Sequence, residues 1–426
     1  MRALYPACVL LASIGISFPL AANPIDDAVE RFTSQTIEYR HTIHQNPELG
    51  NREFKTSALV ADHLRSLNFD EVVTGVAHTG VVGVLRGGQP GPTIAVRADM
   101  DALPVTEQTD FPFASKVRTT YNGKEVGVMH ACGHDIHTSV QMGVASVMAS
   151  LRDQLPGTIV FIFQPAEEGT PKGENGGAKM MLEEGVFERY TPEVIFGLHS
   201  TPEGEVGQVG YTPNAALASV DWFYLTIYGK QSHGAQPQDA IDPIVMGAQV
   251  VEAFQTIHSR NLHPLDPAVI TVGVFRGGER VNIIPSSVYM EGTVRTYSAH
   301  VQDQIETRMR EILDGVTSAH GGSFELEYER YTPSVINNPE LTAKMVPTIE
   351  RVLGYENVFE RRPTMGGEDF AFFANEVPGF FYFLGTREPG GSSGGVHTPT
   401  FRAVDEAVPT GMRVMSHVLW DYLSGE

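Results

Sequence analysis

The segment Met129-His130-Ala131-Cys132-Gly133-His134-Asp135-Ile136-His137 gathers a thiol, a carboxylate and several imidazoles into a short stretch of chain. Thiolate, imidazole and carboxylate are the ligands of borderline divalent metals, so this density reads as a metal or catalytic site. A lone histidine beside a cysteine would instead read as packing and surface. The second element is Gln164-Pro165-Ala166-Glu167-Glu168-Gly169, which follows an apolar run. Adjacent carboxylates repel, and at the end of a buried strand they are costly unless a cation is there. One can then bind the cation while its neighbour takes a proton from the attacking water. His199, after the run 194–198, and His397, in Gly395-Val396-His397-Thr398, are further candidates. Either alone reads as structural; convergence with the other segments makes them ligand candidates. Asp99-Met100-Asp101 puts two carboxylates on one face of a strand end, which suits orientation of a metal-bound histidine.

The elements that must position these groups are visible as periodicity. A helix is expected over 25–45, ended by Asn46-Pro47, and another over 138–151. Strand-like runs at 81–85, 93–96, 158–163 and 194–198 lead into polar residues. Continuous apolar strands alternating with helices imply an α/β fold, a buried and largely parallel sheet with helices on both faces. In such sheets the ligand lies beyond the carboxyl ends of the strands, where Asp, Glu and His stand here. The character changes near Pro213. Strands at 222–228, 268–275, 288–297 and 323–328 and helices at 243–259 and 301–319 follow the order β-α-β-β-α-β of a compact α+β unit. The expected division is a metal-binding catalytic domain over 23–213 and 332–426, with a lid or dimerisation domain, 214–331, inserted into it. The stretch 389–395 reads as a Gly/Ser loop.

At about 150 residues per domain, 426 residues predict two or three units. Lys plus Arg (30) against Asp plus Glu (51) gives a net charge of -21, a poor match for nucleic acid or anionic lipid. No charge follows Arg2 until Asp26; the apolar run 3–20 ends in Ala21-Ala22-Asn23. This is the pattern of a secretory signal cleaved after Ala22, and the mature protein is expected to be exported and soluble. An uncleaved anchor is the alternative, but Pro6, Ser13, Ser17 and Pro19 interrupt a run barely long enough to span a bilayer. Of the cysteines, Cys8 would leave with residues 1–22, and Cys132 would remain without a disulfide partner.

Together Arg97-Ala98-Asp99-Met100-Asp101-Ala102-Leu103-Pro104, 129–137, 164–169, Gly197-Leu198-His199, 229–237 and 365–370 resemble the M20 metallopeptidase family. The resemblance is strongest to its amidohydrolase branch of hippurate hydrolases, indole-acetyl-amino-acid hydrolases and N-acetyl-diaminopimelate deacetylases, and runs from about Glu38 to the C-terminus. It implies a site for two divalent ions (Zn, Mn, Co or Ni) bridged by Cys132, where relatives outside the branch carry aspartate. His134, Glu168, His199 and His397 would complete the coordination, and Glu167 would be the general base that later protonates the leaving amine. Asp101 would orient a ligand. Asp99 stands where other branches have a metal-binding histidine, so the match leaves its role open. His130 and His137 match no ligand position and read as supporting or structural.

The inserted unit matches the family's lid, which in many members also forms a homodimer. From it, His233 would reach the scissile carbonyl and stabilise its oxyanion; Asn282 and Arg295 match positions associated with polar groups of the substrate. The implied reaction is hydrolysis of an N-acyl amino acid, with a dipeptidase or carboxypeptidase as the alternative. Three other readings compete. A cysteine hydrolase leaves the Glu pair, His199 and His397 unexplained. A serine hydrolase built on Gly390-Gly391-Ser392-Ser393-Gly394 needs a strand–turn–helix elbow. A non-catalytic metal- or solute-binding protein has no use for the spare carboxylate of Glu167.

Overall fold

Runs of β-branched and aromatic residues line up as an eight-stranded sheet in the computed structural model, which describes residues 23–425. The expected leader 1–22, with Cys8, lies outside the described residues. The spatial order is Glu71–Val76, Gly80–Arg86, Pro156–Gln164, Gln89–Asp99, Ile195–Glu205, Gly379–Arg387, Val209–Tyr211, Val358–Glu360. The four central strands, from Pro156–Gln164 to Gly379–Arg387, run parallel. The pairings on either side of this block are antiparallel.

Strand side chains alternate between the two faces, and the cores divide accordingly. Ile94, Val96, Phe161, Phe196 and Leu198 pack against helices Pro24–Gln45, His134–Ser150 and Ala407–Ser424. Ala95, Val160, Ile162 and Ile195 pack against the short helices Gly177–Glu183 and Phe370–Glu376. The fold is the α/β class expected from the alternation of apolar strands and helices.

Three details depart from the sequence reading. The helix expected from residue 138 starts at His134, because Gly133 at φ +91° turns the chain directly into it. The strand expected to end at 198 continues to Glu205, held by the neighbouring strand through the pair Gly385↔Thr201. His199 is therefore within a strand and not beyond one. The central strand Gly379–Arg387 has no counterpart in the sequence reading; a short continuous apolar run there has no period that separates strand from helix.

Residues 220–332 form a second, four-stranded antiparallel sheet in the order Ala268–Gly277, Ser287–Thr296, Val220–Tyr228, Ser323–Thr332. Phe223, Leu225, Ile227, Met290 and Val294 face helices Pro243–Thr256 and Ala299–His320. The same alternation sends Trp222, Tyr224 and Arg295 to the opposite face, where they line a cavity shared with the large sheet. No helix among the described residues is long and apolar enough to cross a membrane.

Candidate metal centre

Parallel pairing aligns Asp99 with Gln164, so the two strands leave the sheet together and deliver Asp101 and the Glu pair to one place. Ala166 adopts φ +51°, a left-handed turn that costs an alanine energy and needs support. The support is a pair of buried carboxylates. Asp101 accepts the backbone N–H of Glu167 (3.1 Å) on one oxygen and that of Glu168 (2.9 Å) on the other. Glu53 accepts the N–H of Ala166 at 2.8 Å. Gly133 has the same necessity on the facing segment: a Cβ there would stand 2.1 Å from Ser200 Oγ, which itself donates to the carbonyl of Cys132.

The donors that converge are sulfur, nitrogen and oxygen. Cys132 Sγ lies 3.4 Å from His199 Nε2, and His397 Nε2 lies 2.9 Å from Glu168 Oε1. His134 Nε2 is 3.9 Å from Glu167 and 4.0 Å from Glu168. Ligand atoms of Cys132, His134 and His199 fall within 4.8 Å of one another, as do those of Cys132, Glu168 and His397. The hydrogen bonds assign tautomers. His134 Nδ1 is turned to Asp101 (3.3 Å) and His199 Nδ1 to the carbonyl of Ser200 (2.6 Å), so each presents Nε2 to the cluster. His134 Nε2 is buried with no hydrogen-bond partner among the described residues. A buried ring nitrogen without a partner, amid a thiol and carboxylates, fits a divalent cation.

His137 is different. Its Nδ1 donates to Asp99 at 2.6 Å and its Nε2 accepts the N–H of Ser200 at 2.7 Å, so no lone pair remains for a metal. Burial, outweighing Asp99, lowers it to a pKa of about 4, and the ring is neutral. His130 is buried without a partner for either nitrogen among the described residues, and it belongs to none of the donor groups.

The cluster carries surplus negative charge. Burial works against the charged form of His134, yet Asp99, Asp101 and Glu168 raise its pKa to about 10. Burial, with Glu368 and Glu168, pushes the Glu167 carboxyl well above its ordinary range. Burial, with Glu168 and Glu167, holds the Cys132 thiol up. A bound cation reverses this balance, deprotonating a coordinating thiol.

Two networks escaped the sequence reading. Arg97, fully buried, bonds Gln164 (2.8 Å), Glu368 (2.9 Å), Asp369 (3.0 Å) and Asp99 (2.9 Å) beneath Glu167. Arg40 joins Asp135 at 3.1 Å to Asp405, tying the helix that starts at His134 to the chain following His397. The one signal was a cation beside Asp99 in the 97–104 segment; Glu368, Asp369 and Asp405 lie more than 250 positions from their arginines. Arg295 lines the cavity half-buried, with a hydrogen bond to Thr293 and no ion-pair partner among the described residues. His233 and Asn282 are neighbours on an exposed ribbon of the small sheet's domain, joined by a 2.8 Å bond from Gly234 N–H to Asn282 O. Neither lines the cavity. Ser392 sits in a loop and not in a strand–turn–helix elbow, which removes the serine-hydrolase reading.

A parallel α/β sheet presenting S, N and O donors and a spare buried carboxylate at its strand ends defines a metal-dependent hydrolase that activates water. Comparison with known proteins agrees: the model of peptidase family M20/M25/M40 matches residues 95–421, and this chain belongs to that family. It is similar to an N-acetylcysteine deacetylase of Bacillus subtilis, 37% identical over 89% of this chain and 95% of the relative. Thermostable carboxypeptidase 2 of Saccharolobus solfataricus is 38% identical over 84% and 88%. Among solved structures, a Bacillus subtilis protein described as a dinuclear metal binding peptidase superposes with a TM-score of 0.79. The two share 33% identity over 93% of this chain and 99% of that one. The chain is a metal-dependent hydrolase of amide or peptide bonds.

Proposed function

We propose that the chain hydrolyses the amide bond joining an acyl group to an amino acid, with Glu167 as general acid–base. The observation that carries this reading is Glu167 itself, whose carboxylate faces the cavity beside His134 and accepts no hydrogen bond among the described residues. Cys132, His134, Glu168, His199 and His397 would hold two divalent cations of the Zn, Mn, Co or Ni class. Such ions supply Lewis-acid polarisation of the scissile carbonyl and a lowered pKa for the attacking water. Glu167 takes the proton of that water and returns it to the leaving amine. Burial, with Glu368 and Glu168, favours its protonated form, and the carboxyl stands free to carry a proton. Asp101 and Asp99 hold the histidines, and Arg295 pairs with the substrate carboxylate.

His233 as oxyanion donor and Asn282 as a substrate contact belong to the same proposal and require the ribbon to be carried to the cavity. Export directed by residues 1–22 is also part of it. A homodimer through the small sheet's edge is supported by the exposed apolar residues Val269 and Phe275. Sedimentation as a monomer at micromolar concentration would remove that component.

Glu167→Gln tests the core of the reading: kcat should fall by about a thousandfold with the metal content of wild type. Turnover that persists in that variant overturns the base assignment. A panel of N-acetyl, N-benzoyl and other N-acyl amino acids with each added metal tests the substrate class. Cleavage of dipeptides alone would favour the carboxypeptidase reading, which the Saccharolobus relative supports.

A further inference from the structure

Resting on that reading, we propose that a groove beside Glu168 is the acyl subsite and that it selects acyl groups larger than acetyl. Two cavities meet at the loop 168–172. One, of about 820 Å³, runs under the small sheet and contains Arg295 and Glu167. The other, of about 640 Å³, shares Glu168 and Gly169 with it but is built from residues 46–55, 102–128 and 168–172, with no wall from the small sheet's domain. Its volume lies in the range of sites that enclose drug-sized ligands, roughly 300–1,000 Å³, and far exceeds what a methyl group fills.

The chemistry of the two cavities divides the substrate. Arg295 offers an unpaired guanidinium to the carboxylate end. The groove offers Leu49, Ala102, Leu103 and Val128 as apolar lining, together with Thr119 on the strand Arg118–Tyr121. Leu103 is fixed by paired backbone bonds to Met129, at 3.0 Å each way, so this lining continues into the segment that carries Cys132 and His134. The groove's carboxylates and arginines are already engaged, whereas Lys55 and Lys172, also in its lining, have no ion-pair partner among the described residues. Glu48 accepts the N–H groups of Lys55 and Thr56, while Arg52 pairs with Glu174 and Arg118 with Glu125. An apolar chain entering from Glu168 therefore meets Leu49, Ala102, Leu103 and Val128 and no unpaired carboxylate, with the two lysines as the groove's free charges. Phe54, 62% exposed at the rim, leaves further apolar area in water until a chain covers it.

The test is kcat/KM of the metal-loaded, full-length protein on one amino acid carrying acetyl, butanoyl, hexanoyl, octanoyl or benzoyl groups. Each methylene that the groove buries should raise kcat/KM by up to about fourfold, so hexanoyl should exceed acetyl by at least tenfold. Leu103→Trp and, independently, Thr119→Trp should lower the hexanoyl-to-acetyl ratio tenfold or more, and Leu103→Ala should shift the optimum to longer chains. A flat or falling wild-type series, or a ratio unmoved in both tryptophan variants, overturns the proposal. Absence of turnover for every acyl amino acid refutes the proposed reaction instead. The groove is then judged by calorimetric binding of the same series, where affinity independent of chain length overturns it. Preference for a peptide or a second copy of the chain in that binding assay, with no acyl dependence, has the same effect.

Discussion

Asp101→Asn probes the device that brings the site together. The Asp101 carboxylate is 1% exposed and accepts from three donors: Glu167 N–H at 3.1 Å, Glu168 N–H at 2.9 Å and His134 Nδ1 at 3.3 Å. Asparagine keeps the shape but has one acceptor oxygen. The less costly orientation leaves that oxygen on Glu167 and His134 and turns the amide NH2 against the N–H of Glu168. One charge-assisted bond, typically about 1.5–3 kcal/mol, is lost, and two donors are left facing each other. We expect about 2–4 kcal/mol of destabilisation, read by urea unfolding of the chelator-treated protein. Because the freed backbone carries Glu168 and the weakened partner orients His134, metal affinity should drop by about 10–100-fold. Competition with a chromophoric chelator measures this, and kcat at saturating metal separates lost affinity from lost geometry. Metal affinity within about twofold of wild type, together with an unchanged urea midpoint, would refute the clamp and leave Asp101 a bystander.

Cys132→Ser should lose metal and activity together; wild-type activity that survives prolonged chelation with no metal bound would return the cysteine-hydrolase alternative. Arg97→Met removes the guanidinium that pairs with Asp99, Glu368 and Asp369 in a buried cluster, and should cost about 3–5 kcal/mol of unfolding free energy. A loss below about 1 kcal/mol would show that the carboxylates settle by protonation instead. His44 gives a pH signature: burial works to lower its pKa, but Asp135 and Glu107 on its two nitrogens raise it from 6.5 to about 9. A raised folded value stabilises fully below pH 6.5 and fades as pH rises through 9, an effect of about 3 kcal/mol. His44→Gln should therefore flatten the fall in Tm between those values; parallel curves for the two proteins would exclude His44 as the source.

Local chemistry made much of the site legible. A thiol, an imidazole and a carboxylate close in sequence, or two glutamates after an apolar run, are costly without a cation, and that cost is visible from residue types alone. Strand and helix periods likewise specified the α/β class, while Arg295 was singled out only by its match to the family's lid. Other features depend on long-range pairing. His199 reads as the residue after a strand until the neighbouring strand Gly379–Arg387 extends the ladder past it. His137 has the same residue type and neighbourhood as His134, yet Asp99 and the N–H of Ser200 occupy both its nitrogens. The partners of Arg97 stand as far away as position 369.

Composition and spacing thus determined which chemistry the chain could perform, because ligand type and hydrophobic period are properties of neighbouring residues. Only the tertiary structure decided which nitrogens remain free, which carboxylate of the Glu pair is left without a hydrogen bond, and which residues wall the cavities beside it. Those depend on hydrogen bonds and burial between segments that no local pattern brings together.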